Sequence, residues 1–178
     1  PLPEVQGAIL ATAVRASTVG NALGHADLVL VGDQAKLDSA LAAYPRSPRI
    51  SIVHADDAIT MHDNPVTAVR QKKASSLMVA LRLVKQGEAD AVLSAGNTGA
   101  VMLGARIVLG PIKGVARPAI GQAMPTLKQP VFVLDLGANA ECNARHLCEF
   151  AEMGVVYARD VMEVENPRVG LLNIGEEQ

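Results

Sequence analysis

Short apolar runs alternate with amphipathic stretches along the whole chain. The runs DLVLV (Asp27–Val31), RISIVH (Arg49–His54), DAVLS (Asp90–Ser94), VFVLDL (Val131–Leu136) and VGLLNI (Val169–Ile174) read as strands. Each is brief, rich in branched side chains, and followed by Gly, Ala, Asp or Asn. Between them, Gln34–Ala43, Pro65 to Lys85, Thr98–Leu109 and Arg145–Val161 carry apolar residues at steps of three and four, the period of a helix with one buried face. Glu4–Val19 has the same period, with Asn21 and Gly24 as stop signals. The long pattern ends near Gly87, and Gly110–Pro118 is a Gly/Pro-punctuated connection. Strand, helix and strand in repetition predict an α/β fold with a mainly parallel sheet and helices on both faces. A helical pattern opens directly at Pro1 and the chain stops just after a strand, so residues 1–178 are expected to be part of such a domain.

Composition narrows this picture. Hydrophobic residues make up 49% of the 178 and aromatics 2%, so the core is built from Ala, Val, Leu, Ile and Met. That suits buried strands under Ala-rich helices and gives no stacking platform for single-stranded nucleic acid. With 16 basic against 18 acidic residues and no basic run, the chain carries no electrostatic footprint for nucleic acid. Cys142 and Cys148, spaced C-x5-C, form neither a zinc nor a redox pattern and read as two reduced thiols on or near one helix. No stretch approaches the roughly 18 apolar residues of a membrane span, and no basic–apolar leader is present, so a cytoplasmic protein is expected.

The chemistry collects where strands end. In an open α/β sheet, ligands bind outside the carboxyl ends of the strands. The run Ser94-Ala-Gly96-Asn97-Thr98-Gly99 follows one strand and opens a helix. Its glycines permit close approach, and a helix starting near Thr98 aims free N–H groups and a positive dipole end at an anion. Asn97 adds an amide and Thr98 a hydroxyl. The same run is also compatible with an ordinary capped βα turn. It is neither a Walker A loop nor a full GxGxxG. Asp135-Leu-Gly137-Ala-Asn139 repeats the shape, and Asp135 reads as a hydrogen-bond organiser, a metal ligand, a base, or a cap of local N–H groups. In the long helical pattern, Val66, Val69, Leu77, Leu81 and Val84 form the apolar stripe, and Lys73 stands where that stripe passes, with Arg70 beside it. A cation there needs an acid, an anion or solvent at its head. Lys72 points elsewhere and is expected to be solvated. The four histidines share no ligand spacing, and His54, at a strand end, is a weak general-base candidate. No Ser or Cys sits in a nucleophile motif.

Taken together, AVRQKKASSLMVAL, ADAVLSAGNTGAVM, IKGVARPAI, VLDLGANAEC, FAEMGVVYA and NPRVGLLNIGEE closely resemble the bacterial phosphate acyltransferases of phospholipid synthesis, in order and over essentially the whole chain. The resemblance implies a three-layer α/β/α sandwich similar to phosphotransacetylases and to the isocitrate and isopropylmalate dehydrogenases. It implies transfer of a long-chain acyl group from acyl carrier protein to inorganic phosphate, without cofactor or metal. The acyl phosphate would then feed glycerol-3-phosphate acyltransferase. It also implies a homodimer that associates peripherally with the membrane. On this reading Asn97, Asp135 and Asn139 are the catalytic candidates, with Asn139 an oxyanion donor. Gly96, Thr98, Gly99 and Gly137 line the phosphate, Arg70 and Lys73 supply charge, and Asn173, Gly175, Glu176 and Glu177 form the adjoining wall. The family's opening strand with its Gly-rich turn, and its Lys-Gly after the GEE run with a second half, have no counterpart between Pro1 and Gln178. Two other readings stay open: a phosphotransacetylase-like enzyme using acyl-coenzyme A, and a non-catalytic module that binds carrier protein.

Overall fold

Strand Ala26–Gly32 (β2) places Val31 in the interior, packed with Ala55 and Ala80. Its neighbours are Ala11–Ala16 (β1), Ile50–His54 (β3) and Ala91–Leu93 (β4), in the order β3-β2-β1-β4. The computed structural model describes residues 11–16, 26–139 and 141–172. The chain divides into two compact units, Pro1–Gly110 and Pro111–Gln178.

In the first unit, β2 and β3 are parallel, whereas β1 runs antiparallel to both β2 and β4. The mainly parallel sheet expected from the sequence is therefore mixed. The reason is β1. Its segment was expected to be helical, but Ala11–Ala16 pairs in register with two strands at once. Ala favours a helix, so pairing on both edges, in a segment that also carries the β-branched Thr12 and Val14, overrides the local preference. The rest of the Glu4–Val19 pattern, with Asn21 and Gly24, lies outside the described residues. Because β1 opposes both neighbours, β2, β3 and β4 all point the same way, and their following loops leave from one end of the sheet.

Helix Gln34–Leu41 (α1) is capped by Asp33, which accepts from the Lys36 N–H, and buries Leu37. The single long helix expected over Pro65 to Lys85 is two helices, Pro65–Gln71 (α2) and Ser76–Lys85 (α3). Lys72 leaves the helical region at φ −89°, ψ 57°, and Ser75 is extended. Tertiary pairing holds the break open: Ser75 bridges Asp57, the Ser76 N–H donates to the Asp57 carbonyl at 2.9 Å, and Arg82 Nη1 donates to the Lys73 carbonyl at 2.8 Å. Helix Thr98–Val108 (α4) packs on α3 through Gly104, where a Cβ would stand 2.8 Å from Leu81 Cδ1. Ile59, Val69, Leu77, Met78, Leu81 and Ala100 form the core between these helices.

The second unit contains an antiparallel pair, Gly121–Met124 (β5) and Val131–Leu134 (β6), and helix Ala144–Asp160 (α5). Phe132 stacks on Tyr157 at 4.0 Å, joining β6 to α5. β5 was not foreseen, since GQAM is exposed throughout and has no apolar period. Val169–Leu172, expected to open a strand, forms none and stays exposed. A strand needs a partner, and none of the described strands pairs with it.

Candidate functional site

The loops after β3 and β4 meet at Asn97. This side chain is 8% exposed, and all of its amide is engaged. Asn97 Nδ2 donates to the carbonyls of Thr60, at 3.2 Å, and Asp63, at 2.9 Å, while Oδ1 accepts the Ala100 N–H at 3.1 Å. It thus caps α4 and clamps the 60–63 loop to the β4–α4 turn. With both amide hydrogens committed to carbonyls, Asn97 positions the turn and does not present a donor to a ligand in this structure. Gly99 completes the junction: a Cβ there would lie 2.8 Å from Pro65 Cγ, so only glycine lets the start of α4 lie against the start of α2. Thr98 is exposed, Gly96 and Gly99 are half-buried, and the Gly96 N–H donates to Ser94 Oγ. The N–H groups of Thr98 and Gly99 have no acceptor among the described residues, as a helix start implies.

The charge beside this loop comes from a residue the sequence reading dismissed. Lys72 is half-buried, and its Nζ donates to Asp63 Oδ2 and to the Ala58 carbonyl, both at 2.9 Å, with Asp57 Oδ1 at 3.9 Å. The Asp63 carboxylate also accepts the Thr60 N–H at 2.7 Å and Thr60 Oγ1 at 3.1 Å. The Lys72 hydrogen bond, aided by the Thr60 N–H, holds the Asp63 carboxyl below its ordinary range. The same bond raises the Lys72 ammonium above its own. Lys73, expected on the buried stripe, is exposed, because the helix break at Lys72–Ser75 interrupts the register on which that placement rested. Arg70 is exposed on the last turn of α2, while Pro65, at the opposite end of that helix, meets Gly99. His54 is occupied: Nδ1 accepts the Gln34 N–H at 3.2 Å, so Nε2 carries the proton and donates to Asp56 at 3.0 Å. It has no free lone pair for base catalysis.

In the second unit Asp135 is a hydrogen-bond organiser. Oδ1 accepts the N–H groups of Ala138 (3.2 Å) and Ile120 (3.4 Å), and Oδ2 accepts the N–H (2.9 Å) and Nδ2 (3.2 Å) of Asn139. Gly137 takes the left-handed conformation, φ +74°, that closes this turn. Asn139 Nδ2 also donates to the Pro118 carbonyl at 3.0 Å, so neither amide hydrogen is available to the oxyanion role expected of it. Sequence reasoning missed Glu149, which accepts the Ala116 N–H at 2.7 Å and Arg145 Nε at 2.9 Å and is held below its ordinary range mainly by the former. A carboxylate among helix residues gives no sequence signal of a backbone partner. Asn173, Gly175, Glu176 and Glu177 lie outside the described residues. Cys142 and Cys148 are exposed free thiols, the latter within α5. Among the described residues, no cluster of His, Cys, Asp and Glu could hold a metal ion, and no helix is long and apolar enough to cross a membrane.

The family model described as fatty acid synthesis protein matches residues 3–178. The chain belongs to the phosphate acyltransferase family. It is 49% identical over 164 residues to the phosphate acyltransferase of Moorella thermoacetica, covering 92% of this chain and 48% of that protein. The phosphate acyltransferase of Geotalea daltonii is 47% identical over 179 residues, covering 100% and 49% of the two chains. That of Methylococcus capsulatus is 52% identical over 153 residues, covering 85% and 45%. The chain spans about half the length of these curated relatives. As a phosphate acyltransferase family member, it matches over both units.

Proposed function

We propose that this chain is a catalytic portion of an acyltransferase that moves a long-chain acyl group from acyl carrier protein to inorganic phosphate. The observation that carries the reading is the family match over residues 3–178, with relatives named phosphate acyltransferases. The donors at the exposed start of α4 support it. Phosphate is the nucleophile, which accords with the lack of an activated Ser or Cys motif. A phosphate oxygen attacks the thioester carbonyl, the C–O bond forms as the C–S bond breaks, and the phosphate proton passes to the departing thiolate. Catalysis of this kind needs positioning and stabilisation of the developing oxyanion.

In this reading the Thr98 and Gly99 N–H groups and the Thr98 hydroxyl receive the phosphate, and the α4 dipole favours its charge. Asn97, Lys72 and Asp63 hold the surrounding loops, whereas Arg70 and Lys73 attract anions from the surface. Asp135, Gly137 and Asn139 shape a second turn. The three-layer sandwich, a homodimer and peripheral membrane association belong to the same proposal. Supplying palmitoyl-carrier protein and phosphate, and trapping acyl phosphate with hydroxylamine, tests it. Product from the carrier thioester but not from acetyl-coenzyme A supports the reading. Product only from acetyl-coenzyme A would replace it with a phosphotransacetylase-like activity.

A further inference from the structure

The start of α3 gathers polar groups that the proposed function does not use. Ser75 is 0% and Ser76 1% exposed, and neither Oγ has a hydrogen-bond partner among the described residues. Ser75 is the N-cap residue of α3, yet its side chain makes no capping bond. The first-turn N–H groups of Leu77 and Met78, both buried, have no acceptor among the described residues. Buried donors and hydroxyls are nearly always paired, so this helix start is short of an acceptor. The helix is ten residues long, and its dipole favours an anion at that end. The link from Lys72 to Ser75 adds cations: Lys72 beside Asp57 and Asp63, exposed Lys73, and Arg82, which anchors the link through the Lys73 carbonyl. Asp57 opposes an anion here, but its Oδ1 already accepts the Ala58 N–H at 2.7 Å and lies 3.9 Å from Lys72 Nζ.

We infer that the Ser75 and Ser76 hydroxyls, with the first-turn N–H groups of α3, form an oxyanion site for a compact tetrahedral phosphate, separate from the α4 turn. The choice of phosphate rests on the proposed function; the unpaired buried donors do not. Both hydroxyls are sealed from solvent, so the anion enters by displacement of the Lys72–Ser75 link.

The test measures thermal stability of the full chain against rising inorganic phosphate at constant ionic strength, for wild type, Ser75→Ala, Ser76→Ala and the double variant. Acyl-phosphate formation is followed in the same preparations. Removing an unpaired buried hydroxyl leaves the phosphate-free fold at least as stable. Phosphate should stabilise the wild type saturably, with affinity weakened by about tenfold or more for each hydroxyl lost. Ser75→Asp supplies a carboxylate in place of the anion. It should stabilise the phosphate-free protein and remove this site's part of the phosphate response, leaving only the part that belongs to the α4 turn. Equal phosphate stabilisation of wild type and double variant overturns the site while leaving the proposed function standing. Absence of any phosphate response in the wild type overturns it too, whether or not acyl phosphate is made. A saturable response weakened in the variants, with no acyl phosphate from the wild type, supports the site and sinks the proposed function instead.

Discussion

Asn97 makes three hydrogen bonds to backbone from a single buried amide, and each joins segments distant in sequence or caps α4. Replacing it with Ala leaves the Asp63 carbonyl and the Ala100 N–H without partners, and the Thr60 carbonyl with only the Asp63 N–H at 3.3 Å. The expected loss of stability is about 1–3 kcal/mol, read from urea denaturation. Asn97→Asp retains the capping acceptor but sets carboxylate oxygen against the Thr60 and Asp63 carbonyls, so it should cost at least as much. An Asn97→Ala variant of unchanged stability would refute the clamp. Lys72 and Asp63 make a pH-dependent counterpart. The Asp63 pKa is depressed in the folded state, so its contribution is present above the unfolded carboxyl value, about 4, and is lost as pH falls through the lower folded value. The Lys72 pKa is raised, so its contribution is present below about 10 and is lost as pH rises through the higher folded value. Lys72→Met should flatten both limbs of the stability profile; identical profiles would show that the pair does not act.

At the scale of elements, two glycines give opposite expectations. Gly99→Ala puts a Cβ 2.8 Å from the rigid ring of Pro65, forcing the starts of α2 and α4 apart. A cost of about 1–3 kcal/mol and weaker phosphate binding are expected, by denaturation and calorimetry. Gly154→Ala, inside α5, meets only Leu134 Cδ1 at 3.7 Å and should stabilise by about 0.5–1 kcal/mol. Period and punctuation made most elements legible, including β2, β3, β4, α1, α4 and α5. What stayed illegible was decided by pairing across the fold. Ala11–Ala16 became a strand because β2 and β4 flank it. Lys72–Ser75 broke a helix of good local period because Asp57 and Arg82 hold the backbone out of it. The same break exchanged the roles of Lys72 and Lys73, since both lie in the link between the helices and not on a helix face, whereas Leu77 and Leu81 beyond it stay buried as the stripe predicts. The strand-end turns around Asn97 and Asp135 were readable from glycine and amide spacing. Whether their polar groups face a ligand or the backbone was not, because that depends on which loop lies opposite.

For the molecule as a whole, the family match runs through both units, whereas each unit has its own sheet and its own polar junction. The chain spans about half the length of relatives such as the Moorella thermoacetica protein, so turnover is tested both for this chain alone and with the remaining half of that relative supplied alongside. The central claim is that phosphate itself attacks a carrier-bound acyl thioester. The most direct measurement is ³¹P detection of acyl phosphate from palmitoyl-carrier protein and inorganic phosphate, with equimolar release of the carrier thiol. The account predicts stoichiometric acyl phosphate and thiol, dependent on phosphate concentration and not replaced by acetyl-coenzyme A. Thiol release without acyl phosphate, or no release in either arrangement while phosphate still binds, would contradict it.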